Sequence, residues 1–183
     1  MAAKRMTVLV ILGLGVAGVY RPALGQAAGP QSAQATWPGR YPFTEADVHF
    51  VTGMISHHAQ AIVMANWAPT HQASDAIRRL CERIINAQTD EIALMQAWLR
   101  DRGQPVPEAK PMPVKMTMGG MVHEMMMPGM LTDEQMKQLD QARGGEFDRL
   151  FLTFMIQHHQ GAVTMVNDLL RSPGAAQDEA VYK

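Results

Sequence analysis

From Thr44 to Arg171 apolar residues recur at the three- and four-residue spacing of helices, and caps and breakers cut that pattern into four segments. Thr44 with Asp47 three residues on forms a capping box, and Glu45 suits a first helical turn. This helix runs to about Trp67 and stops before Pro69. A second runs from about Ser74 to Arg102, with Gly103 and Pro105 as its stop signals. Residues 103–131 are rich in Pro, Gly and Met, show no clear period, and read as a loop. Thr132 and Gln135 make another capping box and open a short helix to about Ala142. Gly144 and Gly145 break it, and a last helix runs from about Glu146 to Arg171, before Ser172-Pro173-Gly174. No segment alternates cleanly enough for a strand. The expected class is all-α: a helical bundle domain over 44–171 with three long helices and one short one.

The flanks carry a different pattern. Lys4 and Arg5 precede an uninterrupted apolar or glycine run from Met6 to Val19, shorter than the ~20 residues of a membrane span. Small residues at Ala23 and Gly25 offer a cleavage site after Gly25, and Gly25 and Ala27 offer another after Ala27. Residues 1–25 therefore read as a signal peptide, with an uncleaved N-terminal anchor as the alternative. Residues 26–43 read as a flexible lead-in and 172–183 as a tail. The expected location is periplasmic or secreted, with no stable membrane span after cleavage.

The chain also repeats itself. Residues 45–65, EADVHFVTGMISHHAQAIVMA, align without gaps to 146–166, EFDRLFLTFMIQHHQGAVTMV, and ten of the 21 positions are identical. Both copies hold an Asp, two Met and a His-His pair: Asp47, Met54, His57, His58 and Met64 in the first, Asp148, Met155, His158, His159 and Met165 in the second. A structural unit used twice explains this better than coincidence. At 100° per residue, Asp47, Phe50, His57, His58 and Ala61 all fall within about 60° of Met54. One face thus carries a carboxylate, two imidazoles and a thioether among apolar residues. On the second helix Gln88 and Glu91 fall inside the apolar stripe set by Ile77, Leu80, Ile84 and Met95. Polar groups turned into a core must find partners, and the histidines of the first and last helices are the natural ones.

Composition sharpens this picture. Sixteen methionines stand against five Phe, and there are seven His. Net charge is −1, and removal of residues 1–25 leaves 13 basic against 17 acidic residues, which excludes a general nucleic-acid binder. The single cysteine, Cys81, excludes a disulfide framework and a CxxC zinc site, and reads as a buried apolar residue. Two explanations of the His pairs compete. One is a buried polar network that fixes helix register. The other is a metal site: imidazole binds several transition metals, whereas thioether sulfur selects Cu(I) and by extension Ag(I). Nine Met between 112 and 136 add to the second, in a stretch without helical period. Met121, His123, Met125, Met126, Met127 and Met130 are its candidate ligands, beside Met54, His57, His58, Met64, Met155, His158, His159 and Met165 on the helices. Asp47, Asp148, Gln88 and Glu91 are expected to orient the imidazoles.

The two blocks Asp-x-x-Phe-x-x-x-Met-Ile-x-His-His-x-x-Ala-x-x-Met resemble the signature of the domain-of-unknown-function 305 family. Ile84-Ile85-x-x-Gln88-x-x-Glu91-Ile92-x-x-Met95-x-x-Trp98-Leu99 and Pro128-Gly129-Met130-Leu131 fit as well. The resemblance covers about residues 44–171. It implies a ferritin-like bundle and an exported protein, some of whose relatives bind copper or silver and are linked to metal tolerance. Members often complete the second repeat with another Gln-x-x-Glu-Ile helix, which this chain lacks. A homodimer could supply the missing face. The expected function is copper binding for buffering, delivery or tolerance, with a copper-handling protein as a partner. One alternative is a structural or interaction module whose His network is only packing. Another is a metal-dependent redox enzyme, although neither Glu-x-x-His nor HExxH occurs and no catalytic motif is found.

Overall fold

The structure is a computed structural model that describes residues 42–118 and 121–178, with only the backbone described at 114–118, 122, 123 and 125. The expected signal peptide, nearly all of the expected lead-in and the last five residues of the expected tail lie outside the described residues. Four helices form the body: α1 Glu45–Asn66, α2 Asp75–Asp101, α3 Asp133–Gln141 and α4 Gly145–Arg171. Both capping boxes form. Thr44 accepts from Asp47 N while Asp47 accepts from Thr44 N, and Thr132 and Gln135 do the same. Ser74 caps α2 through Ile77 N. Gly144 supplies the turn into α4 with φ of 58°, a conformation open to glycine. The fold is all-α, and no described helix is long and apolar enough to cross a membrane.

One expectation needs correction. The Met-rich segment, expected to hold no strand, carries a two-stranded antiparallel ribbon, β1 Val114–Met118 with β2 Met121–Met125. Met116 faces His123 in its register. Five residues per strand with Val, Thr and Met suit such a ribbon. By register Val114, Met116, Met118, Met121, His123 and Met125 fall in one alternating set and Lys115, Thr117, Val122 and Glu124 in the other; the period is hard to read because each run is only five residues long and lies among Pro, Gly and further Met.

The core has several parts. Packing of α1 against α2 buries Val51, Ile55, Ile92, Trp98 and Leu99. At the other end Met64, Met155, Phe147, Phe151, Leu131 and Leu139 form an aromatic and aliphatic core. Cys81 lies in it, and burial pushes its thiol up to about 12, so it acts as a small apolar side chain. Met54, Met127, Met130, Met165 and Ala162 form a separate buried cluster.

Helices α1 and α4 run antiparallel. Met165 lies beside Gly53, Met64 packs in the same core as Met155, and the rings of His57 and His158 meet between them at 3.6 Å. The repeat is therefore a pseudo-twofold with two histidines at its axis. Residues 172–178 fold back onto the bundle. Ala176 N donates to Asp47 Oδ1 at 2.7 Å, Trp98 Nε1 donates to Asp178 at 3.0 Å, and Arg102 pairs with Asp178 in a buried ion pair.

Candidate metal centre

The turn Pro128–Leu131 builds the site. It lies between the two repeated helices and is held differently by each. On the α1 side, Gln60 donates to Leu131 O at 3.0 Å and accepts from Leu131 N at 2.7 Å. The counterpart of Gln60 in the repeat is Gly161, which lets the turn press against the α4 backbone. A Cβ at Gly161 would strike the Pro128 carbonyl and Gly129 Cα. Gly129 itself has φ of 78° and sits equally close to Gly161. This wedge delivers the side chains of Met127 and Met130 to the interior, where they meet Met54 and Met165.

Four thioethers from three separate chain segments thus share one buried cluster, with Met95 of α2 packed against it. Gly53 makes room for them: a Cβ there would lie 2.5 Å from Met127 Sδ and 3.3 Å from Met165 Cε. The pseudo-twofold mate of the Met54–Met165 pair is Met64–Met155, and its surroundings differ. Met64 and Met155 are buried among Phe147, Phe151 and Phe154 and fill apolar space. The expected site residues Met64 and Met155 are therefore set apart from the sulfur cluster, because the turn adds methionines at one end of the dyad only.

The histidines are also sorted by the fold. His57 and His158 are fully buried, and their rings meet across the dyad tilted by 37°. His57 Nε2–H donates to Pro128 O at 3.1 Å, and His158 Nε2–H donates to His57 O at 3.0 Å. Desolvation, then the neighbouring His58, lowers the His57 pKa to about 4. Desolvation, then His57 and His159, lowers that of His158 to about 2. Both rings are neutral at pH 7. His159, half-buried, turns Nδ1 to its own helix at Met155 O, 2.8 Å away.

His58 is placed as a ligand would be. Its Nε2 bonds Glu91 of α2 at 2.7 Å. Its Nδ1 is buried and has no hydrogen-bond partner among the described residues. In the neutral ring the carboxylate holds the Nε2 proton, which leaves the Nδ1 lone pair free, the arrangement that supports metal-bound imidazoles. Gln88, one turn before Glu91, is also buried with its Oε1 unpartnered among the described residues. Met54 and His58 are one turn apart on α1, as are Glu91 and Met95 on α2. The sulfur cluster and the His58–Glu91 pair are thus successive layers, about 6 Å apart along the helices.

The two aspartates have a different task from the one expected. Asp47 closes the α1 cap and receives Ala176 N, and Asp148 accepts from Ser74 N at 3.2 and 3.3 Å. Each lies at a helix start, three turns from the His pairs; Asp47 fastens the returning segment at Ala176 and Asp148 the start of α2, and neither bonds an imidazole among the described residues. Among the loop candidates, Met121 and Met126 are exposed while Met127 and Met130 are buried. The side chains of His123 and Met125 lie outside the described residues. Among the described residues no three His, Cys, Asp or Glu side chains converge to hold a metal ion. The donor set of the cluster is sulfur, a soft one. Two of its supports escaped sequence reasoning. Met95 reads in the sequence as part of the apolar stripe of α2, and Gly53 signals its role only through the sulfur it faces.

Comparison with other proteins agrees with this architecture. A secreted-type DUF305 protein from Streptomyces coelicolor is 32% identical, with a TM-score of 0.57 over 70% of this chain and 75% of that one. A DUF305 fragment from Deinococcus radiodurans is 31% identical, with a TM-score of 0.58 over 71% and 80%. CopM in its Cu(I)-bound form is 28% identical, with a TM-score of 0.52 over 73% and 78%. No curated protein matches. The family model for the domain of unknown function DUF305 matches residues 47–182, and the chain belongs to that family.

Proposed function

We propose that the protein is an exported copper-binding protein that holds Cu(I), with Ag(I) as a chemical substitute, for buffering, delivery or tolerance. The observation that carries this reading is the buried cluster of Met54, Met127, Met130 and Met165, kept open by Gly53 and followed one turn along by an imidazole with a free buried nitrogen. Thioethers favour Cu(I) over harder divalent ions, and they stay unprotonated at low pH. Thioethers of the cluster would hold the ion, and His58, whose ring Glu91 fixes, offers a nitrogen donor in the adjacent layer. The likeness to CopM, whose Cu(I)-bound form is known, supports the same assignment. We assign binding and no turnover.

A packing reading has one observation in its favour: His57 and His158 give their Nε2 protons to backbone carbonyls, as register-fixing side chains do. We take that role for those two histidines and the metal role for the sulfur cluster. The test is titration of the metal-free protein with Cu(I) under a competing chelator. Sub-micromolar binding of at least one Cu(I), lost when Met54, Met127 and Met165 are changed to Leu, supports the proposal. Affinity unchanged by those substitutions would leave only the packing role.

A further inference from the structure

A cleft of about 310 Å³ opens between the start of α1 and the end of α4. His49 and Phe50 line it from one helix, Met165 and Asp168 from the other, and Met126 and Met127 from the turn. Met127 and Met165 also belong to the buried sulfur cluster, so the cleft and the cluster share a wall. Met126 is exposed and Asp168 forms part of the polar rim, paired with Arg171 at 3.6 Å.

His49 is the unexplained residue in this wall. Its Nε2 is buried and has no hydrogen-bond partner among the described residues. Leaving such a nitrogen unpaired is unfavourable. The repeat shows that the scaffold does not need a histidine here. The counterpart of His49 is Leu150, a buried leucine in the main core. Burial lowers the pKa of His49, so its ring is neutral and has a lone pair to offer at neutral pH.

We propose that this cleft is a separate capture site for a soft monovalent cation, bound by His49 Nε2 and the Met126 thioether and passed inward through Met127 and Met165. One imidazole and flexible thioethers make a weak, mixed nitrogen–sulfur set, which suits Cu(I) or Ag(I) and suits an ion that must move on. The shared wall supplies the route: the two methionines that receive the ion in the cleft already face Met54 and Met130. This inference rests on the reading of the sulfur cluster as the copper site.

The experiment is a silver nitrate titration of the protein followed by NMR of its histidine ring and methionine methyl signals, paired with stopped-flow loading from a coloured Cu(I) chelate. The His49 ring and Met126 methyl should shift together with Met127 and Met165. His49→Gln should slow loading by at least about tenfold, the lower end of what loss of a supporting residue costs a metal site. Equilibrium affinity of the inner cluster should stay within about twofold. Met126→Leu, at an exposed position, should slow loading as well and guards against a folding defect in the histidine variant. If the Met54 and Met130 methyls shift while His49 and Met126 stay still, the capture site is overturned and the inner copper site stands. If no methionine signal moves, both are overturned.

Discussion

At the scale of single residues, the chain divides each of its two His-His pairs between different tasks. His57 and His158 meet at the pseudo-twofold axis, where a charge would find little water and a second ring 3.6 Å away. Their folded pKa values, about 4 and about 2, lie below the 6.5 of an exposed ring. The unfolded chain therefore binds protons that the native state refuses, and stability rises with pH in that window. Native stability should be flat above pH 6.5 and fall as the pH drops toward 4, by at most about 1.4 kcal/mol per pH unit for each histidine. Thermal melting from pH 7.5 to 4 measures this, and His158→Gln should flatten the slope. An unaltered slope in that variant would mean that other groups set the acid sensitivity. Met54→Leu separates metal from packing. The swap conserves volume and should cost less than about 1.5 kcal/mol of stability. Cu(I) affinity, measured by chelator competition, should fall by about tenfold or more.

At the scale of elements, the turn Pro128–Leu131 makes two equivalent helices inequivalent. The Gln60–Leu131 bonds and the bare Gly161 backbone hold it, and it brings Met127 and Met130 to one end of the dyad. The two glycines beside it should respond differently to a methyl group. Gly161→Ala sets a Cβ against backbone, which cannot give, and should destabilise the fold by about 3 kcal/mol or more in a denaturant titration. Gly53→Ala sets it against the far end of Met127, which can swing aside. That variant should stay folded and lose Cu(I) affinity. The helices, their caps and the repeat were legible in the sequence because local chemistry fixes them: Thr44, Ser74 and Thr132 cap where they stand. The sorting of methionines was not. Met64 and Met155 obey the same repeat as Met54 and Met165, and only the position of a distant turn decides which pair meets more sulfur. The ribbon was not legible because each alternating run is only five residues long and lies among Pro, Gly and further Met. Wheel geometry puts Asp47 and Asp148 on the face of the His pairs but says nothing of the backbone segment that each one fastens.

At the scale of the molecule, α1 is covered and α4 is half bare. Ile55 is 0% exposed under α2, whereas its counterpart Ile156 is 60% exposed. Leu152 and Val163, counterparts of Val51 and Ile62, are exposed on the same face. His58 has Glu91 from α2, while His159 turns to its own helix. Among the described residues no helix covers the second repeat as α2 covers the first. A second copy of the chain laid on this stripe is the expected cover. Sedimentation at micromolar concentration should give the mass of two chains, reduced to one by Ile156→Lys; a single-chain mass for the unaltered protein would count against this. The bundle as a whole buries methionines from α1, the turn and α4 together, and the proposed function makes them the copper site. X-ray absorption on the Cu(I)-loaded protein tests that most directly. Two or more sulfur neighbours at the copper, reduced in number by Met54→Leu, are the predicted result. A copper surrounded only by nitrogen or oxygen would contradict the account.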